Sequence, residues 1–127
     1  MRNLLCFLII FLVFGSCTKD EGEGGNATIR GKVFVRDFDS DGEFVGEYYA
    51  AEKDVYIVYG DDDFYNDNVQ THHDGSFRFQ YLRPGNYQIY TYTKCRTCPE
   101  PQTPVFVDVV IEDNDQLIEL DDIEVQD

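Results

Sequence analysis

The sequence THHDGSFRFQYLRPGNYQIYT occupies residues 71–91 and is the most informative part of the chain for the fold. Asp74-Gly75 is a tight-turn signal of the kind that closes β-hairpins. After this turn, aromatic residues alternate with polar ones over 77–81, which is the period-two pattern of a strand with one buried face. A second turn at 83–86 leads into the same alternation over 87–91. Two short strands are therefore predicted here.

The same pattern continues along the chain in both directions. Further β-rich runs, each bounded by turn residues, occupy 29–36, 55–59, 65–71, 105–111 and 117–125. No part of the chain after residue 26 shows a convincing helical period, so helical folds are excluded. Seven strands at this spacing predict an all-β fold, namely an antiparallel, immunoglobulin-like β-sandwich over residues 27–127.

The N-terminal residues predict export from the cytoplasm. The apolar run 4–14 is too short to cross a bilayer as a helix, but it suits a secretory signal peptide over residues 1–16. The end of this segment, Gly15-Ser16-Cys17, resembles the lipobox of bacterial lipoproteins, although Phe14 stands where leucine is usual. The resemblance implies that Cys17 carries a lipid that anchors the chain in a membrane. The alternative is an ordinary cleaved signal followed by an unmodified cysteine.

Residues 17–26 are predicted to form an acidic, flexible tether, because they offer no apolar side chain for burial after the cysteine. Within them, Thr18-Lys19-Asp20-Glu21 resembles the signal that sends lipoproteins of one Gram-negative phylum to the outer face of the outer membrane. The expected location is therefore the outer membrane with the domain on the cell surface. The periplasmic face is the alternative.

The charge balance excludes two classes of partner. The chain has a net charge of −15, and removal of residues 1–16 takes away only Arg2 and makes it more acidic. A chain with this much negative charge repels nucleic acids and anionic lipid surfaces. Neither is therefore expected as a partner. Frequent β-branched and aromatic residues indicate a folded chain rather than a disordered one.

The cysteine pattern is consistent with an oxidising compartment. Cys95 and Cys98 remain once the signal and the anchor are set aside. Outside the cytoplasm a local disulfide between them is favoured over a redox motif or half of a zinc site. A redox motif opens a helix, whereas this pair leads into prolines, and no second cysteine pair is left to complete a zinc site.

Four segments together resemble the carboxypeptidase regulatory-like family. They are GKVFV at 31–35, DVYIV at 54–58, THHDGSFRF at 71–79 and LRPGNYQI at 82–89. The resemblance covers roughly residues 29–92 and implies a transthyretin-like (prealbumin-like) sandwich of seven strands. Domains of this family are accessory modules, so despite the name no peptidase activity is implied.

The residues themselves also give no catalytic pattern. The zinc-protease helix motif is missing, and the chain has only two histidines, His72 and His73, which are adjacent in a predicted turn. Neither has a nearby nucleophile with a plausible orienting partner. We therefore expect no enzymatic activity, and we expect the histidines to be solvated turn residues.

The long connection between the first two predicted strands, residues 37–54, holds the candidate metal site. Asp37, Asp39 and Asp41 alternate in a D-x-D-x-D-G pattern, from which side chains can converge on one calcium ion. The loop also resembles those of B-type repeats in bacterial surface adhesins. Tyr48 stands where the last ligand is normally a glutamate, so Glu47, or alternatively Glu52, would have to complete the set. The alternative is a solvated acidic loop with ordinary Asp-Gly turn chemistry.

These observations predict a non-enzymatic, surface-tethered β-sandwich module that binds a ligand or a partner protein. The partner would be a neighbouring outer-membrane complex, or a glycan stacked on exposed tyrosines, of which the chain has nine in total. The alternative for the tyrosines is burial in the core or at strand edges. Two other functions stay open: a calcium-stiffened adhesive subunit, and an accessory component of a glycan or peptide uptake system.

Overall fold

The structure, a computed structural model, describes residues 20–127. The predicted signal peptide at 1–16 and the predicted lipid attachment at Cys17 lie outside the described residues. Nine strands form in chain order: β1 Glu23–Phe38, β2 Phe44–Tyr49, β3 Asp54–Tyr59, β4 Asp67–Gln70, β5 Ser76–Leu82, β6 Gly85–Lys94, β7 Gln102–Ile111, β8 Leu117–Glu119 and β9 Ile123–Gln126. Residues 20–127 contain no helix, and hence none that could span a membrane.

The strands form two sheets in a sandwich-like arrangement, which confirms the all-β prediction. One sheet is built around the long strand β1, whose first half pairs with β5 and β8 and whose second half pairs with β2 and β9. The other sheet has the order β4-β3-β6-β7 and is antiparallel throughout.

The prediction of seven antiparallel strands is wrong in two places. β2 lies inside the predicted connection 37–54. The sequence does not predict this strand, because its residues are mostly exposed and show no alternation. The predicted strand 117–125 is interrupted at 120–122, where the backbone N–H of Leu120 donates to the carbonyl of Arg30 at 2.8 Å. The two resulting strands, β8 and β9, run parallel to β1 rather than antiparallel.

The tight turn at Gly75 does not close a hairpin. β4 and β5, on either side of it, belong to different sheets, so the turn carries the chain across the sandwich. Gly75 has a φ of 80°, and a Cβ at this position would meet the carbonyl oxygen of Val33 at 2.9 Å. A side chain is therefore excluded both by conformation and by space.

The core lies between the two sheets and follows the predicted alternation closely. Its fully buried side chains include Ile29 and Val33 of β1, Ile57 of β3 and Ile89 of β6. The alternation fails at Tyr81, which is 66% exposed and has a φ of 60°, while the next residue, Leu82, is buried instead. The β1–β5 register shifts beside this point, as expected for a β-bulge that turns one side chain outward.

The domain begins before the predicted boundary at residue 27. Residues 23–26, assigned to the tether by the sequence, form the first part of β1. Even Gly22 is held: its N–H donates to the hydroxyl of Tyr87 at 2.9 Å, and its carbonyl accepts from the N–H of Arg83 at 2.8 Å. The pattern of small and acidic residues was misleading here, because main-chain groups rather than apolar side chains make these contacts.

Candidate functional site

The outer face of the four-stranded sheet carries a row of aromatic residues. Alternation in β6 sends Tyr87 and Ile89 into the core, and Tyr90 therefore points to the opposite side. Tyr90 is the cross-strand partner of Tyr56 in β3 on one side and of Phe106 in β7 on the other. Rings from three adjacent strands thus lie side by side at one level of the sheet.

Two further tyrosines extend this row into a patch, which we call the aromatic face: Tyr56, Tyr65, Tyr90, Tyr92 and Phe106. The ring centroids of Tyr56 and Tyr90 are 5.0 Å apart, with the planes inclined by only 16°. Phe106 lies 5.2 Å from Tyr90, and Tyr65 lies 4.9 Å from Tyr56. Tyr92 completes the patch at 5.8 Å from Tyr90. These ring contacts fix the orientation of the side chains before any ligand arrives.

The rim of the aromatic face is open to solvent. Phe106 is 52% exposed, Tyr65 51% and Tyr92 38%, while Tyr56 and Tyr90 are half-buried between them. A contiguous exposed apolar patch of this kind marks an interaction site more often than isolated surface residues do. Its aromatic composition suits a ligand with one flat apolar side.

Hydrogen-bonding groups border the rings on the same face of the sheet. Gln88 and Asp108 form the neighbouring cross-strand pair, and the Gln88 amide donates to the Asp108 carboxylate at 3.2 Å. Asn68 continues the aromatic row into β4 as the partner of Tyr56, and Asp54 precedes Tyr56 by two residues on the same face. The site therefore combines an apolar floor with carboxylate and amide groups at its edges.

The hydroxyls of Tyr56 and Tyr90 stay protonated at neutral pH. Burial raises the pKa of both Tyr56 and Tyr90 above the ordinary value for tyrosine, and the neighbouring tyrosines raise it further. Both phenols are thus kept as neutral hydrogen-bond donors and acceptors.

The inner face of β3 supplies a pH-dependent contribution to stability. Burial raises the pKa of Tyr59 to about 12, with Asp67 and Glu23 acting in the same direction. In the unfolded chain a tyrosine loses its proton near pH 10, so the folded state binds more protons than the unfolded state above that pH. The stabilisation is complete below about pH 10 and is lost as the pH rises from about 10 to 12.

Tyr59→Phe is therefore expected to lose less stability than the wild type between pH 9 and pH 11. Urea unfolding at pH 9 and at pH 11 gives the free energy of unfolding of each protein at the two pH values. The loss between them is then compared for the variant and the wild type. An equal loss in both proteins would show that Tyr59 does not contribute.

Most tyrosines of the chain do not pack in the core. Of the nine, only Tyr87 is fully buried, and Tyr59 is half-buried against it with the ring centroids 5.7 Å apart. Of the alternative reading, burial in the core or at strand edges, the core part therefore applies to these two residues. The signal for the aromatic face was present in the sequence, because Tyr90 and Tyr92 occupy the positions that alternate with the buried ones.

The acidic loop forms a tight hairpin between β1 and β2. The carboxylate of Asp39 accepts hydrogen bonds from the backbone N–H groups of Asp41 and Glu43, both at 2.9 Å. Asp37 lies opposite Gly46 in the β1–β2 ladder, and Glu47 lies opposite Arg36, with a closest nitrogen–oxygen distance of 4.0 Å. These contacts are those of an Asp-Gly turn.

The structure does not gather the four predicted calcium ligands. Within residues 20–127, no three acidic, histidine or cysteine side chains are grouped so as to hold a metal ion. Calcium binding by Asp37, Asp39, Asp41 and Glu47 stays a prediction, which thermal melting with and without millimolar calcium would test.

The cysteine pair lies beside this hairpin. Cys95 and Cys98 are at disulfide-bonding distance, with their Cα atoms 5.4 Å apart, in the loop between β6 and β7. Between them, the guanidinium of Arg96 donates to the backbone carbonyl of Asp39. The β6–β7 loop, which holds the cysteine pair, and the acidic hairpin thus lie together at one end of the domain.

Comparison with known proteins adds little to this geometry. No protein-family model matches the chain, and no curated protein matches it either. The chain is similar to a crystal structure from Pseudomonas aeruginosa of a protein proposed to bind carbohydrate, with 13% sequence identity and a TM-score of 0.48. The alignment covers 84% of this chain and 91% of that one. A similarity of this size carries no argument about fold family or ligand.

Proposed function

We propose that this chain is a non-enzymatic binding module, a prealbumin-like β-sandwich that holds a neutral glycan against its aromatic face. The observation that carries the proposal is the row Tyr56–Tyr90–Phe106, which spans three strands with its rim exposed. Both histidines lie in the exposed turn between β4 and β5, away from this face, and take no part in it.

The chemistry of the aromatic face matches that of a sugar ring. A pyranose presents C–H groups on one side, and their partial positive charge is attracted to the negative face of an aromatic ring. Its hydroxyls lie around the edge, where Gln88, Asp108 and Asn68 offer both donors and acceptors. The carboxylates of Asp54 and Asp108 at the edge of the aromatic face disfavour sulfated or carboxylated glycans. A neutral glycan is therefore the expected ligand on this face.

The cellular context of the proposal follows from the N-terminal sequence. A lipid on Cys17 would tether the module to the outer membrane, with the domain on the cell surface and a glycan uptake complex as the natural partner. Labelling of cells with radioactive palmitate tests the anchor, and protease treatment of intact cells tests the exposure. Absence of label would remove the anchor, and full protection from protease would place the domain on the periplasmic face.

Phe106→Ala tests the aromatic face directly. An array of neutral and acidic glycans probed with the detergent-solubilised full chain identifies the bound class, and titration calorimetry with the best neutral glycan gives the affinity. Loss of one ring from the row is expected to weaken binding about ten-fold, or about 1.4 kcal/mol.

The matched control is Phe44→Ala. Phe44 is also 52% exposed but lies in β2, on the other sheet, so its removal is expected to leave the affinity unchanged. An array without neutral-glycan binding, or equal weakening by both variants, would contradict glycan binding at the aromatic face.

A further inference from the structure

A cavity on the sheet opposite the aromatic face concentrates positive charge in an otherwise acidic molecule. It has a volume of about 560 Å³ and lies at β1, β5 and the break between β8 and β9. Four basic side chains line it: Arg30 and Lys32 from β1, Arg78 from β5, and His72 from the turn before β5. The whole chain has only ten lysines and arginines against 25 acidic residues. A group of basic side chains is therefore unusual for the surface of this protein.

The acidic groups of the cavity are already engaged. Glu119 forms an ion pair with the guanidinium of Arg30, and Asp122 accepts a hydrogen bond from the hydroxyl of Tyr49 at 2.8 Å. Lys32 is held 4.9 Å from the centroid of the Tyr49 ring. Among residues 20–127, neither Lys32 nor Arg78 has a carboxylate oxygen within the 4.0 Å of an ion pair. The N–H groups of Lys32 and Arg78 are thus available as hydrogen-bond donors to a ligand.

The register of β1 and β5 places two arginines side by side, of which only Arg30 has a carboxylate partner, Glu119. Arg30 and Arg78 are direct cross-strand partners, and like charges in that position destabilise a sheet. An anion placed between them would remove the repulsion and accept paired hydrogen bonds from the planar guanidinium of Arg78.

We propose that this cavity binds the carboxylate of a small organic acid, held by Arg78 and Lys32. A volume of about 560 Å³ suits a ligand of the size of one sugar acid or dicarboxylate. A long polyanion is disfavoured, because the rest of the acidic chain would repel it. The site is separate from the aromatic face, which lies on the other sheet, so either proposal can fail without the other.

Titration of the detergent-solubilised full chain with glucuronate, succinate and glucose tests the site. Binding of glucuronate alone would identify a sugar acid, and binding of both acids would identify a carboxylate site of broader specificity. Any binding of glucose belongs to the aromatic face and is expected to be unaffected by Arg78→Gln. An equal weakening of glucose and glucuronate binding by Arg78→Gln would overturn the proposal, as would the absence of binding by either acid.

Arg78→Gln is expected to weaken acid binding about ten-fold. Lys53→Gln removes the same charge outside the cavity and is the matched control, expected to leave the affinity unchanged. Equal affinities of the two variants for the acid would overturn the assignment.

Discussion

Gly25→Ala is expected to lower the free energy of unfolding by about 3 kcal/mol, the upper end of the usual cost of overpacking, because the atoms that the new methyl group meets are rigid. A Cβ at Gly25 would lie 2.6 Å from the carbonyl carbon of Leu82 and 2.8 Å from the Cα of Arg83. Both are backbone atoms, one in the last residue of β5 and the other in the turn that follows, so they cannot move aside as a flexible side chain would. The first part of β1 would have to detach from β5 to accept the methyl group.

Thermal unfolding monitored by circular dichroism measures this effect, and a decrease of about 12 °C or more is expected for a domain of this size. Gly46→Ala is the control, because a Cβ there meets no atom within 4 Å. Its melting temperature is expected to stay close to that of the wild type. Equal melting of the two variants would mean that residues 23–26 are a tether after all, as the sequence predicts, and not a strand.

Phe77→Ala is expected to cost about 3–5 kcal/mol, the usual range for removing a phenyl ring from a core. Phe77 is 2% exposed, and its cross-strand partner in β1 is Gly31. The ring occupies the space above this glycine: a Cβ on Gly31 would meet Cζ of Phe77 at 3.0 Å. With no side chain on Gly31 to fill the gap, the cavity left by the ring could not collapse.

Chemical denaturation compares this variant with Phe106→Ala. Phe106 belongs to the same residue type but lies exposed on the aromatic face, so its loss is expected to cost less than about 1 kcal/mol. Similar costs for the two variants would contradict the inward orientation of Phe77. The pair also separates the two roles of aromatic residues in this chain, since one variant affects stability and the other affects binding.

The sequence predicted the fold where the burial of side chains alternates without interruption. The pattern around Phe77 and Ile89 places both strands and their buried faces correctly. It fails at Tyr81, because a bulge adds one residue and reverses the alternation, and a bulge has no signature in the identity of the residues. The parallel pairing of β8 and β9 with β1 could not be predicted from local patterns either. The direction of a partner strand depends on the path of the chain between them and not on the strand itself.

The candidate site was predictable in part. Outward positions such as Tyr90 follow from the period of β6, whereas the hypothesis of exposed tyrosines rests only on the number of tyrosines, nine. The alignment of Tyr90 with Tyr56 and Phe106 depends on the register of three strands distant in sequence, which local patterns do not determine. The acidic loop shows the opposite case: Asp39 was correctly placed in a turn, but its carboxylate serves the backbone of that turn.

If the chain is anchored through Cys17, the contacts of residues 21 and 22 limit the distance between the domain and the bilayer. Glu21 accepts from the N–H of Asn86 at 3.1 Å, so this point is fixed to the start of β6. If Cys17 is acylated, only four residue steps separate the lipid from that fixed point, a reach of about 14 Å at full extension. The tether is thus less than half as long as its ten residues suggest, and the start of β6 would lie close to the headgroups. Any glycan that the module captures would then be brought down to the membrane surface.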